Sequence, residues 1–162
     1  MGFGRALAMG VLALGATALV LGEAWAQRTP PYFASISVSK ARMRTGPGRQ
    51  YPATWLYQRE DLPVKVVAVY NEWRKIEDPD GTQGWMQVNM LSDARTAMVK
   101  GTIVEMRAAP RFNSRVSWRA APGVVGRISQ CTNGWCYLDV HGRGGFVEQS
   151  HIWGVDQNET LH

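Results

Sequence analysis

An all-β protein made of one small unit used twice is what this chain of 162 residues predicts, and three patterns say so. Met43, Arg44, Pro47 and Trp55 recur as Met106, Arg107, Pro110 and Trp118, each 63 positions on. Asn71 and Trp73 recur as Asn133 and Trp135 at a spacing of 62, and Gly81, Gly84, Trp85 and Leu91 recur as Gly142, Gly145, Phe146 and Ile152 at 61. A frame that keeps apolar for apolar and glycine for glycine marks a duplicated folding unit, here with two single-residue deletions. Between these positions the apolar residues fall in short runs broken by turn residues, and no helical periodicity runs long enough to compete.

In chain order, residues 1–26 have the form of a secretory signal peptide. Arg5 is followed by an apolar run over 6–21, and Ala24 and Ala26 bracket Trp25, so cleavage is expected before Gln27. The apolar run is shorter than the roughly 20 residues that cross a bilayer, which argues against an uncleaved anchor. No cysteine precedes Cys131, which argues against a lipid-modified lipoprotein. Without Arg5 and Glu23 the mature chain keeps 17 basic and 12 acidic residues and a net charge of +5. That balance favours anionic polymers or surfaces. For a periplasmic or secreted protein with no stable membrane anchor after cleavage, these are wall material, anionic lipid or acidic proteins rather than nucleic acid.

Residues 27–37 contain Pro30 and Pro31 and no periodic pattern, and read as a tether. The first unit is expected over 38–96. Its strands are expected at 40–43, at 63–70 with the β-branched Val64, Val66, Val67 and Val69, and at 73–78 and 82–88 around a turn of Pro79, Asp80 and Gly81. Residues 45–57 read as a long polar and aromatic loop opened by Gly46, Pro47 and Gly48. The second unit, over 97–156, repeats this order with strands near 102–106, 124–129, 135–140 and 144–148, and 157–162 form a tail. Arg107, Arg111, Arg115 and Arg119 are spaced by four, as on one helix face with Pro110 near its start. The aligned first-copy segment holds Gly46, Pro47, Gly48 and Pro52, which no helix interior accommodates, so the loop reading is kept.

Units of about 60 residues lie near the lower limit for a self-sufficient core, so each is expected to lean on its partner or on a staple. The only cysteines, Cys131 and Cys136, flank Thr132, Asn133, Gly134 and Trp135. Asn-Gly signals a hairpin turn, which sets the two cysteines opposite each other on adjacent strands within reach of a disulfide. An oxidising compartment favours that bond. A redox pair would more typically show two intervening residues, and a nucleophile would need a free thiol.

Residues 42–47 (Arg-Met-Arg-Thr-Gly-Pro), 73–80, and 81–86 with Gly84-Trp85 resemble the bacterial SH3-like domain. The second copy resembles the same family through 106–110, 131–136 with Trp135, and 142–147. The resemblance covers nearly all of the mature chain and implies two tandem small SH3-like β-barrels of about five strands each. The long loop after the first strand would form one wall of a groove, and Leu91 and Ile152 would sit in the short helical turn that precedes or forms the last strand. Trp73 and Trp85 are expected to supply a major share of the apolar burial. Gly84 and Gly145 would let a neighbouring backbone come close. Ala109 replaces Gly46 and Phe146 replaces Trp85, which argues against one ligand shared by both grooves.

Catalytic machinery is absent from the pattern. His141, His151 and His162 lack the spacing of a zinc motif, no Gly-x-Ser-x-Gly elbow or phosphate loop occurs, and Asp78 with Asp80 reads as turn chemistry. A thiol enzyme using Cys136 with His151 is the remote alternative. No metal and no cofactor are expected. From Arg107 to Leu138 there is no Asp or Glu, while Arg107, Arg111, Arg115 and Arg119 interleave with Phe112 and Trp118. Guanidinium groups on a long loop suit carboxylates or phosphates. In the first copy, Arg49, Tyr51 and Tyr57 are the groove candidates, with Trp55 and Trp118 assigned to the core. The sequence thus points to an exported non-catalytic binding module for peptidoglycan or its peptide stems, or else to an envelope scaffold that holds an extended peptide of a partner protein.

Overall fold

The computed structural model describes Met1 and residues 28–162. Apart from Met1, the expected signal peptide lies outside the described residues. The first unit comprises β1 (Tyr32–Ile36), β2 (Ala41–Arg44), β3 (Ala53–Tyr57), β4 (Pro63–Tyr70), β5 (Trp73–Glu77), β6 (Gln83–Gln87), a 3-10 turn (Val88–Met90) and β7 (Leu91–Ser92). The second repeats it as β8 (Thr96–Val99), β9 (Val104–Arg107), β10 (Val116–Ala120), β11 (Val125–Thr132), β12 (Trp135–Val140), β13 (Arg143–Glu148), a 3-10 turn (Gln149–His151) and β14 (Ile152–Trp153). Strand orders β3-β2-β6-β5-β4-β1-β7 and β10-β9-β13-β12-β11-β8-β14 are the same order shifted by seven, so the repeat is a repeat of topology.

Each sheet wraps one core. In the first unit Ile36, Ala41, Met43, Tyr57, Val64, Val66, Ile76 and Met86 come from six strands into a single buried cluster. Bulges fall at matching places, between Val66 and Ala68 in β4 and between Ile128 and Gln130 in β11. One extra residue there bends the strand and moves the following side chains to the other face. Alternation already turns Val67 away from the face of Val64 and Val66, and the bulge returns half-buried Val69 to the core that it packs against. Gly84 and Gly145 lie where the sheet folds back: a Cβ on Gly84 would sit 2.5 Å from the Met43 side chain, and one on Gly145 2.8 Å from Met106 Cβ.

Several expectations are corrected. The tether contains β1, because Phe33, Ala34, Ser35 and Ile36 are buried, the first three paired with β4 and Ile36 with β7. Each unit has seven strands, counting the two-residue β7 and β14, rather than about five. The loop over 45–57 ends at β3, so Trp55 lies in an edge strand, 58% exposed, whereas Tyr57 is core. Trp73 and Trp85 are half-buried, since the two-residue period of β5 and β6 turns Ile76 and Met86 inward instead. The loop reading over 107–119 holds for residues 108–115, but Arg119 lies in a strand, β10.

Cys131 and Cys136 form the disulfide across β11 and β12, with Asn133 and Gly134 at positive φ in the two-residue turn between them. The frame places this bond where the first unit has the cross-strand pair Val69 and Arg74. The tail is no loose end. Leu161 exchanges backbone hydrogen bonds with Cys131 and packs on the cluster that holds both sulfurs, while the Gln149 side chain bonds the backbone of Asn158 and Glu159.

Three residues, Asp93, Ala94 and Arg95, join the units. Arg95 makes a two-pronged ion pair with Glu159 at 2.7 and 3.0 Å, and Asp93 pairs with Arg28. Phe33 of the first unit meets Trp153 of the second edge to face at 5.3 Å, and Lys65 bonds Asp156 at 3.0 Å. Met98 and Val125 of the second unit pack on the first unit's core. The two barrels are docked.

Candidate functional site

Grooves open at equivalent places in the two units. Arg42, Arg44, Arg49, Trp73, Gln87 and Met90 line the first, of about 260 Å³. The second, of about 180 Å³, is lined by Ile103, Val104, Glu105, Arg107, Phe112, Trp135, Glu148 and His151. Under the repeat frame, Arg42 corresponds to Glu105, Arg44 to Arg107, Arg49 to Phe112, Trp73 to Trp135, Gln87 to Glu148 and Met90 to His151. Each groove therefore lies between the end of β2 or β9, the loop that follows, the first residue of β5 or β12, and the 3-10 turn.

An arginine fixes the loop wall in both units. Arg44 Nη1 donates to the carbonyls of Tyr51 at 2.7 Å and Arg49 at 3.2 Å, and Arg107 Nη1 donates to the carbonyl of Ser114 at 2.7 Å. The loop interiors differ in a compensated way. Gly46 makes room for the Tyr51 ring, from which a Cβ would stand only 2.5 Å. At the matching pair in the second unit, Ala109 donates its N–H to Ser114 Oγ at 2.9 Å, so a small hydroxyl takes the place of the ring.

Charge separates the grooves. Among the described residues, Arg42, Arg44 and Arg49 have no ion-pair partner. In the second groove Glu105 Oε2 lies 2.6 Å from Arg107 Nη2, and its other oxygen is 3.2 Å from Arg119. Glu148 lies 3.3 Å from His151 Nδ1, a pairing that is ionic when the imidazole is protonated. Phe112 meets Trp135 edge to face at 5.2 Å and leaves Trp135 buried, whereas Arg49 at the corresponding position leaves Trp73 half-open.

The sequence-predicted site residues do not form one site. Arg107 and Phe112 line the second groove and Arg49 the first. Tyr51 packs over Gly46. Arg111 and Arg115 are exposed on the loop, and exposed Arg119 is bound to Glu105. Tyr57 is enclosed and donates its hydroxyl to Asp78 Oδ2 at 2.9 Å. Burial and then that bond push its pKa well above the ordinary tyrosine value. Asp78 Oδ1 accepts from the backbone N–H groups of Asp80 and Thr82, which is the turn chemistry expected of it. Cys136 is taken up in the disulfide, so the thiol-enzyme alternative lacks its nucleophile. Sequence reasoning missed Arg42, Arg44, Trp73, Gln87 and Met90. The inward alternation of Val64, Val66 and Ile76, carried across to Trp73, would have placed that tryptophan outside the core.

The family model described as Bacterial SH3 domain matches residues 37–93 and 100–154. The chain belongs to the bacterial SH3 domain family. The family is one of binding modules, and its two matched regions correspond to the two barrels. No curated protein matches the chain. Solved structures similar to it include NlpC1 and NlpC2 from Trichomonas vaginalis, each at 10% identity with a TM-score of 0.35, over 83% and 78% of this chain. This bacterial SH3 tandem spans about half, 49%, of each of those chains. No helix among the described residues is long and apolar enough to cross a membrane.

Proposed function

We propose that this bacterial SH3 tandem is an exported, non-catalytic binding module that engages peptidoglycan or its peptide stems in the cell envelope, with the signal peptide over 1–26 removed before Gln27. The observation that carries the reading is the recurrence of one groove, at equivalent positions, in both members of a binding-module family. Arg49, Arg107 and Phe112 line these grooves, while Tyr51, Arg111, Arg115 and Arg119 lie on the loops beside them. A net charge of +5 suits a wall whose peptides carry carboxylates. Purified sacculi incubated with the protein at low salt and sedimented are expected to carry it into the pellet. Protein left in the supernatant overturns the reading.

A second reading, an envelope scaffold that holds an extended peptide of another protein, draws on β3. This strand ends its sheet and exposes Thr54, Trp55 and Leu56 without a charged residue to guard the edge. Enrichment of one envelope protein in a pull-down, unchanged by digestion of the wall, favours it.

A further inference from the structure

The two grooves share their frame and differ in charge, and we infer that the first, at Arg42, Arg44 and Arg49 beside Trp73, is a carboxylate-binding site while the second is closed to such ligands by its own Glu105. The inference rests on the wall-binding reading for where the carboxylate comes from, and on the paired grooves for its chemistry.

The second unit shows how a carboxylate meets this frame. The Glu105 carboxylate lies 2.6 Å from Nη2 of Arg107, the counterpart of Arg44. In the first unit the residue corresponding to Glu105 is Arg42, so the matching place beside Arg44 holds another cation instead of an anion. Arg44 is held by the carbonyls of Arg49 and Tyr51 through Nη1, which leaves its other donors oriented without further ordering. A guanidinium fork matches the two oxygens of a carboxylate, and three such groups with no acidic neighbour in the lining repel one another until an anion is bound. Gln87 stands where the second groove has Glu148, so the opposite wall is uncharged. Trp73, not covered as Trp135 is by Phe112, offers a flat apolar wall to the residue that bears the carboxylate.

The test follows the indole N–H signals of Trp73 and Trp135 by NMR during titration of the full chain with N-acetyl-alanyl-alanine, with its C-terminal amide, and with inorganic phosphate. The free-acid dipeptide is expected to shift Trp73 saturably and to leave Trp135 unmoved, and the amide to bind at least tenfold more weakly. Arg42→Glu, an exposed position, should abolish the Trp73 response by supplying an internal carboxylate; Glu105→Arg should make Trp135 responsive. Equal shifts at both tryptophans, equal binding of acid and amide, or no saturable shift overturns the inference, and phosphate binding as tightly as the dipeptide overturns the ligand class. A dipeptide response from protein that fails to sediment with sacculi would refute the wall-binding reading alone; sedimentation without a dipeptide response would refute this one alone.

Discussion

Tyr57 and Asp78 meet inside the first barrel, the phenol donating to one carboxylate oxygen at 2.9 Å while the other oxygen accepts two backbone N–H groups of the following turn. The bond ties the edge strand β3 to the β5–β6 hairpin, with which it forms no strand pairing.

Alkaline stability is expected to depend on this pair. Burial and the bond to Asp78 raise the folded pKa of Tyr57, whereas the unfolded chain ionises near 10. The contribution is therefore complete below about pH 10 and lost as pH rises further. Tyr57→Phe should cost about 1–3 kcal/mol at neutral pH and flatten the alkaline fall, read by urea unfolding across pH 7 to 11.

Acid is expected to loosen the tail. Burial acts to raise the Glu159 pKa, but hydrogen bonds from Arg95 and from the Asp156 N–H, with the charges of Arg95 and Arg28, hold it below the ordinary value. The sign is opposite to that of Tyr57: this contribution is present above about pH 4.3 and disappears as pH falls through the lowered value. Glu159→Gln should cost about 1 kcal/mol at pH 7 and lessen the acid sensitivity. Protection of the Leu161 amide, bonded to the Cys131 carbonyl, reports it locally by hydrogen exchange.

The disulfide closes a short loop, for which chain entropy gives about 2 kcal/mol. Replacing Cys131 and Cys136 together by serine should lower the unfolding midpoint by that amount or more, because both sites are fully buried. An unchanged denaturation curve contradicts this.

Gly145→Ala places a Cβ 2.8 Å from the Cβ and 3.3 Å from the backbone of Met106, neither of which can swing aside. About 1–3 kcal/mol of destabilisation is expected by calorimetry. Gly81→Ala meets nothing within 4 Å but must adopt a φ of +84°, a smaller cost of about 1–2 kcal/mol.

The architecture was legible because a repeat constrains twice. Strand β4 ends where Pro63 and the run to Tyr70 indicate, β12 where Trp135 and Val140 do, and the Asn-Gly turn located the disulfide. What misled was bulk. Trp73, Trp85 and Trp55 drew the core assignment because they are large, but side-chain direction follows strand parity, and Ile76, Met86 and Tyr57 hold the inward positions. The grooves were harder to read because each combines residues from three separated segments, and a stretch rich in arginine does not disclose that Glu105 pairs with Arg107 and Arg119 at its two ends. The buried β1 was hidden by its short, unpatterned sequence behind Pro30 and Pro31.

A three-residue link with both charged side chains engaged, backed by Phe33 against Trp153, leaves the two grooves little freedom to move apart. Modules on a slack connection accept two attachment points at almost any separation, whereas a stiff pair gains avidity only where the points match its own span and gains none elsewhere. Whatever contacts both units therefore meets them at one fixed spacing and one fixed relative orientation.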